Sequence, residues 1–253
     1  MNSKKNVGLA LGGGVILGAS HIGTLRALEE NGIEISYVAG TSIGAFVGAL
    51  FAFGKNWKEI KAITSEIKWL DITEIQLSKF ALLSNRKLGQ LITDHIGDQK
   101  IEDASIPLAI VTTNIASGEK VVLKKGSVAQ AVMASTCLPG IFDPVEIDSK
   151  LLVDGGIVEN IPVKTLKEMG ADFLIGADLT ARKKLEQPGS ILDVIINALH
   201  FLIKQSGQIQ IEDPHILIQP ELSSFSLIDM SQIDDIMEQG YQDSMKALSE
   251  IKA

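Results

Sequence analysis

The pentapeptide Gly40-Thr41-Ser42-Ile43-Gly44 has the form G-x-S-x-G, the spacing of a nucleophile elbow. In that turn a serine is carried between a strand and a helix, and small residues two positions either side let the two elements approach without clash. The flanking residues read as a short strand, Tyr37–Ala39, and a buried helix, Ile43–Phe53, so the context fits. A chance pentapeptide in a glycine-rich chain is the plain alternative. A serine also needs a base to take its proton. The four histidines, His21, His95, His200 and His215, lie on helical, apolar or amphipathic stretches without loop context, and packing or hydrogen bonding is the simpler reading of each. The run Leu151-Leu152-Val153-Asp154-Gly155-Gly156 offers a carboxylate instead. Asp154 ends an apolar stretch, and Gly155 and Gly156 permit close backbone approach. Partial desolvation would raise the carboxyl pKa and suit it to accept the Ser42 proton. A simple Asp-Gly-Gly turn is the competing reading.

A third segment, Leu11-Gly12-Gly13-Gly14-Val15-Ile16-Leu17-Gly18, follows a predicted strand and opens a predicted helix. Backbone N–H groups turned inward there can cradle a phosphate or hold the oxyanion of a tetrahedral acyl intermediate. A dinucleotide fingerprint would need glycine where Leu17 stands and an acidic residue where the second strand ends in Ala39-Gly40-Thr41. A P-loop would need a following Gly-Lys-Ser/Thr. Neither is present, and a tight strand–helix turn remains open.

The elements that must position these residues alternate along the chain. Strands are expected at Val7–Leu11, Tyr37–Ala39, Leu108–Asn114, Val121–Lys124 (as a hairpin), Leu151–Asp154 at a strand edge, Phe173–Asp178 and His215–Gln219. Helices are expected at Gly18–Asn31, Ile43–Phe53, Ser127–Ala134, Pro162–Met169, Ile191–Ser206 and Ile233–Ile251, with a mostly helical lid or cap over residues 57–96. Strands separated by helices predict a largely parallel sheet covered on both faces, here as one α/β domain over residues 1–253. The composition agrees: 253 residues, 45% apolar and 21% charged, with a lone Cys137 that rules out a disulfide framework. A net charge of −8 argues against nucleic acid as a partner. Residues 201–253 hold 3 basic and 9 acidic groups, so an anionic partner would meet the N-terminal half. Residues 35–54 carry no charge, and Gly40, Gly44 and Gly48 repeat at the spacing of packed membrane helices. The embedded strand-and-turn pattern favours a soluble reading, with neither signal peptide nor transmembrane helix and a cytoplasmic location.

In chain order, glycine loop, then elbow, then Asp-Gly-Gly, the three elements resemble the patatin-like phospholipases, specifically the small bacterial members. The likeness runs nearly the whole chain. It includes His21-Ile22-Gly23, Ala131-Val132-Met133-Ala134-Ser135-Thr136-Cys137-Leu138-Pro139-Gly140-Ile141-Phe142, Val153 through Val163, and Gly170-Ala171-Asp172. The resemblance implies a three-layer α/β/α fold with a mainly parallel central sheet, and a Ser–Asp dyad with Ser42 as nucleophile and Asp154 as proton acceptor. It also implies an oxyanion hole from the amides around Gly13, Gly14 and Val15. The motif positions Gly12, Gly18, Gly40, Thr41, Ile43, Gly44, Gly155 and Gly156 surround these groups. No metal and no cofactor are implied. The activity implied is that of a carboxylic ester hydrolase, an esterase or lysophospholipase acting through an acyl-enzyme on acyl-ester lipids or lysophospholipids. Peripheral contact with the inner membrane surface and a homo-oligomer are compatible with it. The alternatives are a non-catalytic lipid-binding module, or an acyltransferase or thioesterase on the same nucleophile. One position departs from the family pattern: Leu17 stands where arginine or lysine is usual, which shifts the expected substrate toward neutral or single-chain acyl esters. Apolar residues of the 57–96 segment, among them Trp57, Trp69, Phe80, Leu82 and Leu83, are expected to form the acyl pocket or a lipid-touching surface.

Overall fold

Strands buried on both faces read as near-continuous apolar runs, and β1 (Val7–Leu11), β2 (Tyr37–Thr41), β5 (Leu108–Asn114) and β9 (Phe173–Ala177) obey that rule. The computed structural model describes residues 5–65, 74–75, 83–183, 185, 187–210, 214–227 and 229–250. β1 pairs in parallel with β2 and β9, β2 with β5, and β9 with β10 (Ile216–Ile218). The other side of the sheet is antiparallel. There β6 (Lys120–Leu123) and β8 (Lys150–Asp154) pair with β5, and β7 (Val145–Ile147) pairs with β8. The two-residue strands β3 (Glu74–Ile75) and β4 (Leu83–Ser84) form a separate ribbon.

Side chains alternate across a strand with period two, and here the two faces differ in size. Leu9, Leu11, Val38, Ile110 and Ile175 point into the main core. That core is closed by α1 (Ala19–Glu30), α2 (Ile43–Ala52), α3 (Trp57–Ser65), α4 (Arg86–Ile96), α5 (Val128–Ser135) and α8 (Ile233–Ser249). Ala10, Ala39 and Ala109 point the other way, where Val163 and Leu166 of the short helix α6 (Val163–Met169) pack on them. Alanines on that face let a seven-residue helix lie close to the sheet. The long α7 (Ile191–Gln210) follows β9. α2 is apolar nearly all round, as a fully covered central helix must be.

The segment expected to stand apart as a lid is anchored at both ends. Ile60 and Ile63 of α3 and Leu88 and Ile92 of α4 are buried in the main core. Burial of Ile60 and Ile92 contributes roughly 1.5–3 kcal/mol each. Trp69, Phe80 and Leu82 lie outside the described residues, and only the backbone of Leu83 is described. Trp57 is half-buried under the Arg26 guanidinium, 5.3 Å from its ring. Among the described residues no helix is long and apolar enough to cross a membrane.

Candidate active site

Strand pairing explains how two residues 112 positions apart come together. Ile110 and Val111 pair with both β2 and β6, whereas Thr112 and Thr113 pair with both β6 and β8. A residue has one partner on each edge, so β6 occupies one edge of β5 while β2 and β8 share the other, end to end. Thr41 sits opposite Val111 and Asp154 opposite Thr112. The chain leaving β2 at Ser42 therefore meets β8 arriving at Asp154. β8 was expected at a strand edge; it lies instead between β5 and β7, because residues 145–147 turn back as a strand of their own.

Ser42 occupies the elbow with φ 54° and ψ −127°, in the left-handed half of conformational space. The tightness of the turn explains the flanking glycines: a Cβ on Gly44 would overlap the Leu11 carbonyl, and one on Gly40 would lie 2.6 Å from Ala45 Cα. Ser135 fastens the turn, since its Oγ accepts from the Ser42 amide (2.8 Å) and donates to the Val111 carbonyl (2.7 Å). The half-buried Ser42 is also the N-cap of α2, where the helix dipole favours negative charge.

Asp154 is 1% exposed. Its Oδ2 accepts from Ser42 Oγ at 2.6 Å and its Oδ1 from the Gly156 amide at 2.8 Å. Burial pushes its pKa up to about 6, against the opposing pull of those two donors. A carboxylate in this state is a better proton acceptor than an ordinary aspartate and still ionised at neutral pH. Thr113 donates to its carbonyl at 2.8 Å, and a Cβ on Gly155 would strike the Val111 carbonyl, so Gly155 is needed for the approach.

The glycine loop faces the same point. Gly13 departs from the expected donor set, because its amide is donated to Asn160 Oδ1 at 3.0 Å. The amides of Gly14 and Val15 have no acceptor among the described residues. Val15 adopts φ 54°, a strained state for a β-branched residue. The fully buried His21 approaches the Gly12 carbonyl with Nε2 at 2.7 Å. A carbonyl only accepts, so Nε2 is the donor, and burial pushes the imidazole pKa down to about 4. His21 therefore shapes the loop from behind as a neutral ring. His215 Nδ1 accepts from the Leu174 amide of β9 at 3.1 Å. Leu17 is fully buried in an apolar cluster with Leu179, Leu222 and Ile236.

Two residues of the site gave no signal as isolated side chains: Asn160 and Ser135. Asn160 is fixed by its neighbour Glu159, whose Oε2 accepts from Lys120 Nζ (2.8 Å) and Thr165 Oγ1 (2.7 Å), and whose carbonyl accepts from Thr41 Oγ1 (2.9 Å). Neither the burial of Asn160 nor its partner 147 positions away is visible in the sequence.

Ser42 opens onto two spaces. A cleft is walled by apolar groups, among them Ile16, Phe46, Val47, Leu88, Phe142 and Ile233. A smaller chamber is lined by Gly14, Asp154, Ile196 and His200 among others. The 57–96 segment supplies Thr64, Asn85 and Leu88 to the cleft, and Trp57 is not part of its wall. Among the described residues no cluster of His, Cys, Asp or Glu is suited to a metal ion.

A family model described as patatin-like phospholipase matches residues 9–167, more than half of the chain. The chain belongs to that family. An uncharacterised NTE family protein of Mycobacterium bovis is 33% identical over 183 residues, covering 70% of this chain and 50% of its own. A lysophospholipase of Meyerozyma guilliermondii is 26% identical over 274 residues, which is 94% of this chain and 19% of that protein. The patatin-like chain thus spans half or less of these relatives. The crystal structure of VipD from Legionella pneumophila aligns with a TM-score of 0.58 at 15% identity, over 98% of this chain and 67% of that one. That likeness bears on fold, which is the expected mixed α/β arrangement with helices on both faces of a mostly parallel sheet.

Proposed function

We propose that this chain is a serine lipid acyl hydrolase of the esterase or lysophospholipase type, working through an acyl-enzyme. Ser42 Oγ attacks the ester carbonyl carbon while Asp154 takes the hydroxyl proton. The amides of Gly14 and Val15 hold the oxyanion. The C–O bond to the alcohol then breaks, and the proton passes from Asp154 to the departing oxygen. Water next attacks the acyl-serine, giving its proton to Asp154, and the carboxylic acid leaves as Ser42 is restored. The single observation that carries this reading is the 2.6 Å hydrogen bond from Ser42 to a buried carboxylate whose pKa is raised to about 6. The apolar cleft beside Ser42 suits an acyl chain, and the Meyerozyma relative, a lysophospholipase, points the same way.

Contact with a lipid surface belongs to the same proposal. Ile191, Val194, Phe201 and Leu202 of α7 are exposed, and at 100° per residue they fall on one face. Ile196 and Ile203 on the opposite face line the catalytic chamber. A helix apolar on both faces would sit between substrate and membrane. Sedimentation with phosphatidylcholine vesicles, compared with a Phe201→Asp/Leu202→Asp variant, tests this part.

The central test is hydrolysis of a panel of p-nitrophenyl esters and lysophospholipids by wild type, Ser42→Ala and Asp154→Asn, with fluorophosphonate labelling of Ser42. Loss of hydrolysis in both variants and labelling only in proteins that keep Ser42 is expected. Equal hydrolysis by all three proteins would falsify the assignment.

A further inference from the structure

An ester carbon under attack carries its acyl chain and its alcohol in different directions, so a site with an acyl cleft needs a second opening for the alcohol. The smaller chamber has that relation to the cleft: the two share Ser42, Val15 and Leu138. Its walls are mostly apolar, from Ile196, Leu199, Ile203 and Leu227. Its polar side chains are taken up, with one exception. Thr180 donates its hydroxyl to Asp178 Oδ1 at 2.8 Å, and Asp154 is held by Ser42 and Gly156. His200, 8% exposed, is the exception: its Nε2 is buried without a hydrogen-bond partner among the described residues. Buried polar atoms in native proteins are nearly always paired, and an unpaired one calls for an explanation.

The character of the imidazole narrows the ligand. Burial, with the charges of Lys204 and Lys183, pushes its pKa down to about 4, so the ring is neutral at physiological pH. A neutral imidazole nitrogen exchanges one hydrogen bond with a hydroxyl, and no lysine or arginine is among the described residues lining the chamber to receive an anionic group.

We infer that this chamber receives the alcohol half of the ester and that His200 Nε2 hydrogen-bonds a free hydroxyl on it, making His200 a specificity residue for acyl esters of polyols such as glycerol. The inference rests on Ser42 being the nucleophile. A site built to bond a hydroxyl discriminates against the analogue that lacks it, because its own polar atom is then left unpaired.

The test uses two matched pairs: 1-decanoylglycerol against propyl decanoate as substrates, and 1-O-decylglycerol against decyl propyl ether as uncleavable ligands. In His200→Leu, kcat/KM for the glycerol ester and affinity for the glycerol ether should each fall about tenfold, with less than about twofold change for the propyl compounds. His200→Gln, whose amide reaches toward the same position, should recover most of the loss. Equal losses for glycerol and propyl compounds in a folded variant, no loss at all, or no binding of either ether by wild type overturns the inference. The two readings separate cleanly. Ethers discriminated without any ester hydrolysis would sink the hydrolase and spare the chamber, whereas esters cleaved without discrimination would sink the chamber alone.

Discussion

Replacing Asp154 with asparagine removes the base from the proposed reaction, and it should also make the protein more stable at neutral pH. The side chain is 1% exposed and its carboxyl pKa lies at about 6 instead of the ordinary 3.8. The native state therefore binds the proton more tightly than the unfolded chain does. The stability that follows from this is fully present below pH 3.8 and is lost as pH rises through 6. At about 1.36 kcal/mol per pKa unit, the ionised carboxylate costs the fold about 3 kcal/mol at pH 8. Asparagine keeps the local bonds, since its Oδ1 accepts from the Gly156 amide and its Nδ2 donates to Ser42 Oγ, so the substitution isolates the charge. For a chain of this size about 3 kcal/mol corresponds to roughly 6–12 °C in Tm. Thermal melts by circular dichroism at pH 4, 6 and 8 read the effect directly. The variant should lead wild type by that margin at pH 8, by less at pH 6, and by under about 1 kcal/mol at pH 4. A constant difference across the series, or a wild type that is the more stable at pH 8, refutes the claim that burial lifts this carboxyl.

The same pKa sets the pH dependence of hydrolysis. With Asp154 required as carboxylate, kcat/KM for a p-nitrophenyl ester should be flat above pH 7 and fall about tenfold by pH 5, midpoint near 6; a midpoint near 4 counts against Asp154 as base. Gly44→Ala forces a Cβ into the Leu11 carbonyl, and urea unfolding should register a loss of about 3 kcal/mol or a failure to fold, while an unchanged midpoint would show that the elbow has slack. Asn160→Ala leaves the buried Gly13 amide without its acceptor. It should cost about 1–3 kcal/mol and lower kcat more than it raises KM, and a KM effect alone would detach Asn160 from the loop.

What the amino-acid sequence discloses about this site follows from how local each constraint is. The elbow is legible because Gly40 and Gly44 are demanded by contacts within a few residues of Ser42 and by the neighbouring strand end. Asp154 is legible through the glycines that follow it. The Gly13–Asn160 bond spans 147 positions, and nothing in a glycine run announces that one of its amides is already taken. The antiparallel return through β7 and β8 was likewise hidden, since periodicity reports which face of a strand is buried and not which neighbour it pairs with. α7 reads as an amphipathic helix, but its placement over the smaller chamber beside Ser42 depends on which of two apolar faces turns inward. Trp57 carries the opposite lesson: an aromatic residue in a helix beside the site packs under Arg26 and leaves the cleft to Phe46 and Phe142.

The end-to-end arrangement of β2 and β8 along one edge of β5 makes that strand a ruler for the Ser42–Asp154 pair. Val111 sets where the turn bearing Ser42 begins, and Thr112 sets where the Asp154 carboxylate stops. A two-residue slip of β8 would carry Asp154 nearly 7 Å along the edge, at about 3.4 Å per residue, while a one-residue slip would turn its side chain to the opposite face. Spacing between the proposed nucleophile and its proposed base is thus calibrated by backbone pairing at a central strand, far less yielding than a loop. Under the proposed function, adaptation to new substrates is accordingly free to act on the walls of the two cavities while the Ser42–Asp154 distance stays constant.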